Sequence, residues 1–235
     1  IPTDLMRFLP PPESPDFPVL SLGMILLFDQ AGAHLFSGAD QRYLNSYFRP
    51  LRLRLLAQLS NLPSRLRPWR LERWEEQGWS FEHWAIRQIF FNGPLTHSED
   101  IDNHALQRGL HENLRALVER RVKRRDPNRD TAGSDAHDTM LFVNLIRTGP
   151  PEDENVSMEK YLWWSCRIMD AHMPILREFG RYPYNVMWKG EEYTPEEKRY
   201  LERTQWFHVT KMNEGELNAM KEDMKAGRWP PLKEQ

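Results

Sequence analysis

The segment SMEKYLWWSCRIMDAHMPILREFG, residues 157–180, decides the fold. Its apolar side chains recur at helical spacing, so the sequence predicts one long helix from Ser157 to Phe179. Gly180 ends this helix, because glycine adopts the left-handed C-terminal conformation without a steric penalty. His172 lies seven residues before Phe179, which places both side chains on one face of the helix. The sequence thus predicts a long helix that carries a histidine on its apolar face.

The rest of the chain carries further helix signals and no hairpin signature. Ser80 and Thr194 are good N-terminal caps, and a Pro-Glu-Glu run follows Thr194. We expect Gly93-Pro94 to end the helix that begins after Ser80, and Ser98 to cap the next one. Another helix is predicted to begin after Asp40, and helical patterns also cover residues 19–28, 51–59, 139–146 and 214–226. The predicted fold class is all-α, built from antiparallel helix pairs.

Proline usage divides the chain into an arm, one domain and a tail. Six of the 18 prolines fall in residues 1–18, which predicts an extended arm because proline fixes φ and has no N–H donor. Residues 19–226 are predicted to form a single helical domain, and residues 227–235, with Pro230-Pro231, a loose tail. A chain of 235 residues is long enough for one domain with a sizeable core.

The composition argues against several classes of protein. The chain has 32 Lys and Arg against 34 Asp and Glu, so it lacks the basic field of a general nucleic-acid binder. The best apolar run, Val19–Phe28, is shorter than the ~20 residues that span a bilayer. A single cysteine, Cys166, leaves no internal disulfide and no cysteine-based zinc site. No signal peptide is visible, so we expect a cytoplasmic protein that binds no nucleic acid and spans no membrane.

Polar residues cluster in two segments, each at a position where a helix is predicted to begin or end. Asp29 and Gln30 directly follow the first apolar helix, and four polar residues occupy positions 97–100: His97, Ser98, Glu99 and Asp100. A carboxylate paired with a histidine is a combination that transfers protons. The structural alternative is that Ser98 and Asp100 only cap a helix and that Asp29 only pairs with a helix end. His97 has no such duty, since it precedes the cap.

The segment around Gly180 carries two more candidate groups. His172 is either a catalytic group or a core histidine whose hydrogen bonds are satisfied within the fold. Arg181 is placed to bind a carboxylate, and its structural alternative is a buried salt bridge to Asp29, Glu99 or Asp100. Trp163 and Trp164 are interpreted either as the lining of a cavity or as core packing. The chain has no glycine-rich phosphate loop and no redox cofactor motif, so no cofactor is predicted.

Four motifs, taken in order, resemble one family. They are Ile25 to Gln30, Pro94 to Asp100, His172 with Phe179-Gly180-Arg181-Tyr182-Pro183, and Thr194-Pro195-Glu196-Glu197. This order is similar to that of the proteins catalogued as "domain of unknown function 924", over about Val19 to Arg203. The resemblance implies an all-α fold similar to tetratricopeptide helical arrays. It implies no established activity.

The chain departs from that family at two places. Where the family typically reads Phe-Pro-Arg-Asn after Asp-Gln, this sequence has residues 31–34, Ala-Gly-Ala-His. Where the family typically reads His-Arg-Asn, this sequence has residues 184–186, Tyr-Asn-Val. If the family pocket binds an anion through those arginines, this member is predicted instead to have an apolar pocket wall above a polar floor. The residues predicted to contact a substrate are Arg181, Gln30, Tyr182, Tyr184, Trp163 and Trp188.

Three functions follow from these residues. The first is a cofactor-independent enzyme that acts on a small, largely apolar metabolite, in specialised biosynthesis, by isomerisation, cyclisation, dehydration or hydrolysis. Its acid–base groups would come from five residues: His97, Glu99, Asp100, His172 and Asp29. The second is a non-catalytic helical-repeat module that binds a protein or peptide. A metal site built from the same side chains ranks last, because their spacing matches no metal motif, and none is predicted. The sequence leaves open whether the protein forms a homodimer.

Overall fold

The computed structural model describes residues 3–151, 156–209 and 212–228, so most of the predicted tail lies outside the described residues. The regular structure within these ranges is helical throughout, which confirms the all-α prediction. The tetratricopeptide-like arrangement stays a prediction. The helices are α1 Phe17–Leu26, α2 Gly32–Leu35, α3 Arg49–Ser60, α4 Leu71–Glu75, α5 Phe81–Thr96, α6 Ile101–Val122, α7 Ala132–Asp135, α8 Leu141–Thr148, α9 Met158–Asp170, α10 His172–Phe179, α11 Pro195–Arg203 and α12 Glu214–Lys225.

Shorter turns of a different pitch join several of these helices. Wide π-helical turns cover Leu27–Ala31 and Leu44–Phe48. Single 3₁₀ turns lie at Met6–Phe8, Gly38–Gln41, Ser64–Leu66, Pro127–Asp130, Pro183–Asn185 and Met187–Lys189. The first wide turn contains Asp29, and π-helical turns are frequent at functional sites.

Helix α5 lies at the centre of the molecule, packed against α1, α3, α6 and α9. The core has two clusters of buried apolar side chains. One lies around α5 and includes Leu55, Ile89 and Leu114. The other lies around α8, α10 and α11 and includes Ile175 and Leu201. The short connection between α5 and α6 contains His97 and Glu99.

The predicted long helix from Ser157 to Phe179 is wrong in one respect, because it is broken at Ala171. Helix α9 ends at Asp170 and α10 begins at His172. Pro174 explains the break: it has no N–H to donate to the carbonyl of Asp170, and its ring crowds that carbonyl. The stop at Gly180 is confirmed by its left-handed φ of +69°.

Two predicted boundaries around α5 are also wrong. The helix continues through Gly93-Pro94 and ends at Thr96, since proline removes one backbone hydrogen bond without preventing a further turn. Ser98 does not cap α6; its hydroxyl donates to the carbonyl of Leu95 over 2.8 Å. The cap is Asp100, whose Oδ1 accepts the N–H groups of residues 102 and 103 over 2.9 and 3.0 Å. The predicted caps Ser80 and Thr194 are confirmed.

The proline-rich arm packs on its own domain. Leu5 is only 1% exposed, and its N–H donates to Oε1 of Gln58 on α3 over 3.0 Å. The guanidinium of Arg73 on α4 donates to the carbonyls of Pro12 and Ser14 over 2.7 and 3.0 Å. Helix α1 begins at Phe17, inside the stretch predicted as arm.

One helical stretch is apolar enough to cross a membrane by length and composition. It runs over 19 residues from Phe17 to Leu35, with a mean hydropathy of 1.3, and combines α1, the first wide turn and α2. About a third of its span (33%) is buried inside the protein. A core helix passes the same test, so the absence of a membrane span stays a prediction.

Candidate functional site

Asp29 lies in the wide turn that follows α1, and the turn directs its carboxylate into the protein. The residue is only 6% exposed. Gly93 on α5 makes room for it: a Cβ at that position would lie 2.7 Å from Oδ2 of Asp29. The absence of a side chain at Gly93 therefore leaves the space that the Asp29 carboxylate occupies.

Three side chains converge on this carboxylate. His97 Nδ1 lies 3.0 Å from each carboxylate oxygen, the guanidinium of Arg52 lies 3.0 Å from Oδ1, and Gln30 Nε2 donates to Oδ2 over 2.6 Å. Burial alone would raise the pKa of Asp29, but the attraction of His97 and Arg52 and the hydrogen bonds from His97 and Gln30 lower it to about 2. Asp29 is therefore ionised at neutral pH.

His97 is the C-terminal cap residue of α5. Of the two paired side chains, Asp29 and His97, that of His97 is the more exposed. Its side chain is 29% exposed, whereas that of Asp29 is 1% exposed. Arg52 also donates to the backbone carbonyl of His97 over 2.8 Å, which fixes the end of the helix. Because an ionised Asp29 accepts from Nδ1, the proton of a neutral ring resides on Nδ1. The lone pair of Nε2 then accepts no hydrogen bond from any residue in the described ranges.

His172 lies beside this pair but belongs to the packed interior. Its ring centroid is 5.9 Å from that of His97 and 4.2 Å from that of Phe142. Its Nδ1 lies 2.9 Å from the carbonyl of Ile168. Burial, with repulsion from His97 and a second histidine, lowers the pKa of His172 to about 3. His172 is therefore neutral at physiological pH and forms an aromatic wall behind His97.

Tyr182 and Tyr184 extend this aromatic wall. Their rings are stacked, with centroids 5.2 Å apart and an angle of 8° between the planes. The hydroxyl of Tyr182 donates to the carbonyl of Thr96 over 2.6 Å and lies 2.7 Å from Nε2 of His104. Burial raises the pKa of both tyrosines well above the ordinary value, so both phenols stay protonated.

Glu99 joins the α5–α6 connection to the segment that follows Gly180. Its carboxylate contacts the ammonium group of Lys189, accepts the N–H of Tyr182 over 3.2 Å, and lies 3.5 Å from the guanidinium of Arg49. Burial opposes ionisation, but the Lys189 hydrogen bond and the nearby cations lower the pKa of Glu99 below its ordinary value. Asp100 is exposed and occupied as the cap of α6.

The other predicted substrate contacts are dispersed. Arg181 binds Glu197 through two hydrogen bonds of 2.6 and 2.8 Å, contacts Glu191, and donates to the carbonyl of Glu192. The structure therefore directs Arg181 to these acidic residues and not to Asp29, Glu99 or Asp100. Trp163 is buried in the first core cluster. Trp188 is partly buried beside Lys189.

Arg52 is the residue of the site that sequence analysis missed. It lies at helical spacing with Leu55, Leu56 and Leu59, all of which are buried. An arginine on the buried face of α3 implies a buried carboxylate partner, and that signal would have found it. No group of three or more His, Cys, Asp or Glu side chains suited to a metal occurs in the described part of the chain.

These features define a class: an all-α protein with a buried, ionised aspartate that orients a partly exposed histidine. The family model for bacterial proteins of unknown function, DUF924, matches residues 13–205, which is most of the chain. The chain belongs to that family. No curated protein and no solved structure matches it significantly.

Proposed function

We propose that this protein is a cofactor-independent acid–base enzyme in which His97 transfers a proton through Nε2. The observation that carries the proposal is the pairing of His97 Nδ1 with a buried, ionised Asp29 while Nε2 has no hydrogen bond within the described residues. A carboxylate in this position fixes the tautomer and stabilises the imidazolium ion once Nε2 has taken a proton.

The surroundings of the pair support rigid placement of the base. Arg52 holds both Asp29 and the backbone of His97, and the neutral ring of His172 packs beside the His97 ring. Preorganised groups of this kind need no rearrangement when charge develops on the imidazole. We propose that the substrate is small and largely apolar and that it reacts by isomerisation, cyclisation, dehydration or hydrolysis.

A substrate-independent probe tests whether His97 acts as a base. A nitro-substituted benzisoxazole is small and apolar, and loss of its ring C–H proton breaks the N–O bond to give a coloured phenolate. We expect the wild-type protein to accelerate this reaction, and His97→Gln to lower the rate by about 10²-fold or more, the usual contribution of a positioned base. Asp29→Asn should also lower the rate, since the amide no longer fixes the tautomer.

His137→Gln is the matched control, because His137 is an exposed histidine. Its rate should equal that of the wild type. Equal rates for the wild type and folded His97→Gln, checked by circular dichroism, would refute the proposal.

A second candidate, a non-catalytic binding module, is favoured by an apolar groove. A groove with a volume of about 680 Å³ lies between α3, α4, α5 and α6. It is lined mainly by leucine and tryptophan side chains. Leu106 and Leu110 on α6 border it, one turn apart and 56% and 39% exposed. Peptides selected from a random library should lose binding to Leu110→Lys if this groove binds a helix. Binding that is indifferent to Leu110→Lys would exclude the groove as their site.

A further inference from the structure

The helical stretch that runs from α1 to α2 presents an apolar face to solvent. Val19, Leu20 and Leu27 are 40%, 49% and 51% exposed, although all three are large apolar side chains. The stretch from Phe17 to Leu35 has a mean hydropathy of 1.3, yet only about a third of it (33%) is buried inside the protein. A helix that is apolar all round is normally buried, so this exposed face indicates an interaction surface.

The exposed residues form a stripe that is symmetric about Gly23. Val19 lies four residues before Gly23 and Leu27 four residues after it, so the three share one face of the helix. Leu20 lies on the same side, two turns before Leu27. Gly23 is itself exposed, and a Cβ added to it would meet no atom within 4 Å. These four residues, named the α1 stripe, thus have open space at their centre, where a second helix can approach closely.

A second copy of the chain fits the α1 stripe in the antiparallel orientation. A two-fold axis at Gly23 places Val19 of each copy opposite Leu27 of the other, because every contact of such an interface occurs twice. The exposed carboxylate of Asp16, seven residues before Gly23, then lies nearest the uncharged Gln30 of the other copy. In a parallel pair the two Asp16 carboxylates would lie side by side and repel each other. The antiparallel pair therefore joins apolar to apolar side chains and keeps like charges apart.

The charges around the stripe do not suit a lipid surface. Helices that lie on membranes carry lysine and arginine beside their apolar face, because these cations attract anionic headgroups. Residues 13–41 contain neither lysine nor arginine. The exposed acids Glu13 and Asp16 lie where the stripe begins and would be repelled by anionic lipid. The local charge therefore favours a protein surface as the partner of the stripe.

We propose that the α1 stripe is a homodimer interface in which two copies pack antiparallel about Gly23. The apolar stretch has 19 residues, which is about 28 Å of helix. One helix face of this length buries less than the ~800 Å² per partner of a standard interface, so the dimer forms at micromolar concentration. Dimer formation of this kind does not depend on proton transfer by His97.

Sedimentation equilibrium of the full chain measures the association. Between about 1 and about 200 μM we expect the mass to rise from the 28.0 kDa of one chain towards twice that value. Val19→Lys and Leu27→Glu, each at an exposed position, should each lower the association constant at least tenfold, because a charge enters an apolar contact. The double variant should regain at least tenfold over either single one, since its opposite charges face each other across the two-fold axis.

Three results would overturn the proposal. The first is a single-chain mass throughout this concentration range. The second is a dimer that withstands both single substitutions in proteins shown to be folded by circular dichroism. The third is flotation of the single chain with phosphatidylglycerol vesicles that Leu27→Glu abolishes, which would assign the stripe to a lipid surface. A double variant no better than the single ones would overturn the antiparallel register.

A cysteine at the centre of the stripe tests the position of the two-fold axis. In Gly23→Cys the two thiols meet in the dimer, so oxidation by copper phenanthroline should join the copies and double the mass in non-reducing electrophoresis. Cys166 is buried and does not compete. Gly109→Cys is the matched control, because Gly109 is an equally open position on another helix, α6. Equal cross-linking of the two variants would overturn the proposed geometry.

Discussion

Replacing Asp29 with asparagine removes the charge at the centre of the candidate site with little change of shape. In the wild type the carboxylate is buried and is contacted by Arg52, His97 and Gln30. Asparagine keeps one acceptor oxygen but replaces the other with an NH₂ group. If that group takes the place of Oδ2, it faces His97 Nδ1 and the Gln30 amide donor. The substitution therefore leaves the Arg52 guanidinium buried without its counter-charge.

The magnitude follows from the pKa of Asp29. Its value falls from 3.8 in an unstructured chain to about 2 in the fold. At about 1.4 kcal/mol per pKa unit, ionisation of Asp29 contributes about 2 kcal/mol to the free energy of unfolding. Because the pKa is depressed in the fold, this contribution is fully present above pH 4 and is lost as the pH falls towards 2. Loss of one partner of a buried ion pair costs about 3–5 kcal/mol, so Asp29→Asn should be clearly less stable at pH 7.

Urea unfolding followed by circular dichroism measures both effects. The free energy of unfolding is obtained for the wild type and for Asp29→Asn at several values between pH 7 and pH 2. We expect the difference between the two proteins to shrink by about 2 kcal/mol between pH 4 and pH 2. Asp16→Asn is the control, because Asp16 is exposed and caps no backbone N–H with its side chain. A difference that stays constant across this pH range would refute the assignment of an ionised, stabilising Asp29.

Three further predictions test the packing. Gly93→Ala should lower the free energy of unfolding in urea by about 1–3 kcal/mol, because its Cβ would lie 2.7 Å from Asp29 Oδ2. Gly109→Ala is the control: it lies in open space on α6 and should raise the free energy of unfolding by about 0.4–1 kcal/mol. A Gly93→Ala protein more stable than the wild type would contradict this packing. Burial raises the pKa of the Cys166 thiol to about 12. Cys166 should therefore react with a thiol reagent only after urea unfolds the chain. Fast labelling of the folded protein would contradict its burial. Leu5→Ala should lower the free energy of unfolding by about 2–5 kcal/mol, and an effect under about 0.5 kcal/mol would show that the arm is not docked in solution.

The sequence predicted the features that depend on neighbouring residues. The helix stop at Gly180 and the capping box at Thr194 follow from local sterics and local hydrogen bonds, and both are confirmed. The break at Pro174 was also present in the sequence, since a proline ring excludes the carbonyl four residues earlier, but the strong helical pattern on both sides concealed it. The crowding of polar residues at helix ends indicated Asp29 and His97 as candidates, and the apolar face of the 157–180 segment indicated His172.

The partners of those residues were decided by the tertiary structure. Asp29 and His97 are 68 positions apart, and they meet because α5 packs against α1 and because Gly93 leaves space for a carboxylate. A residue list cannot distinguish Arg52, which lies on that carboxylate, from Arg181, which binds Glu197 instead. Charge and hydrogen-bonding capacity are properties of a sequence, whereas the distance and burial that turn them into a base, a clamp or a cap arise only when distant segments pack together.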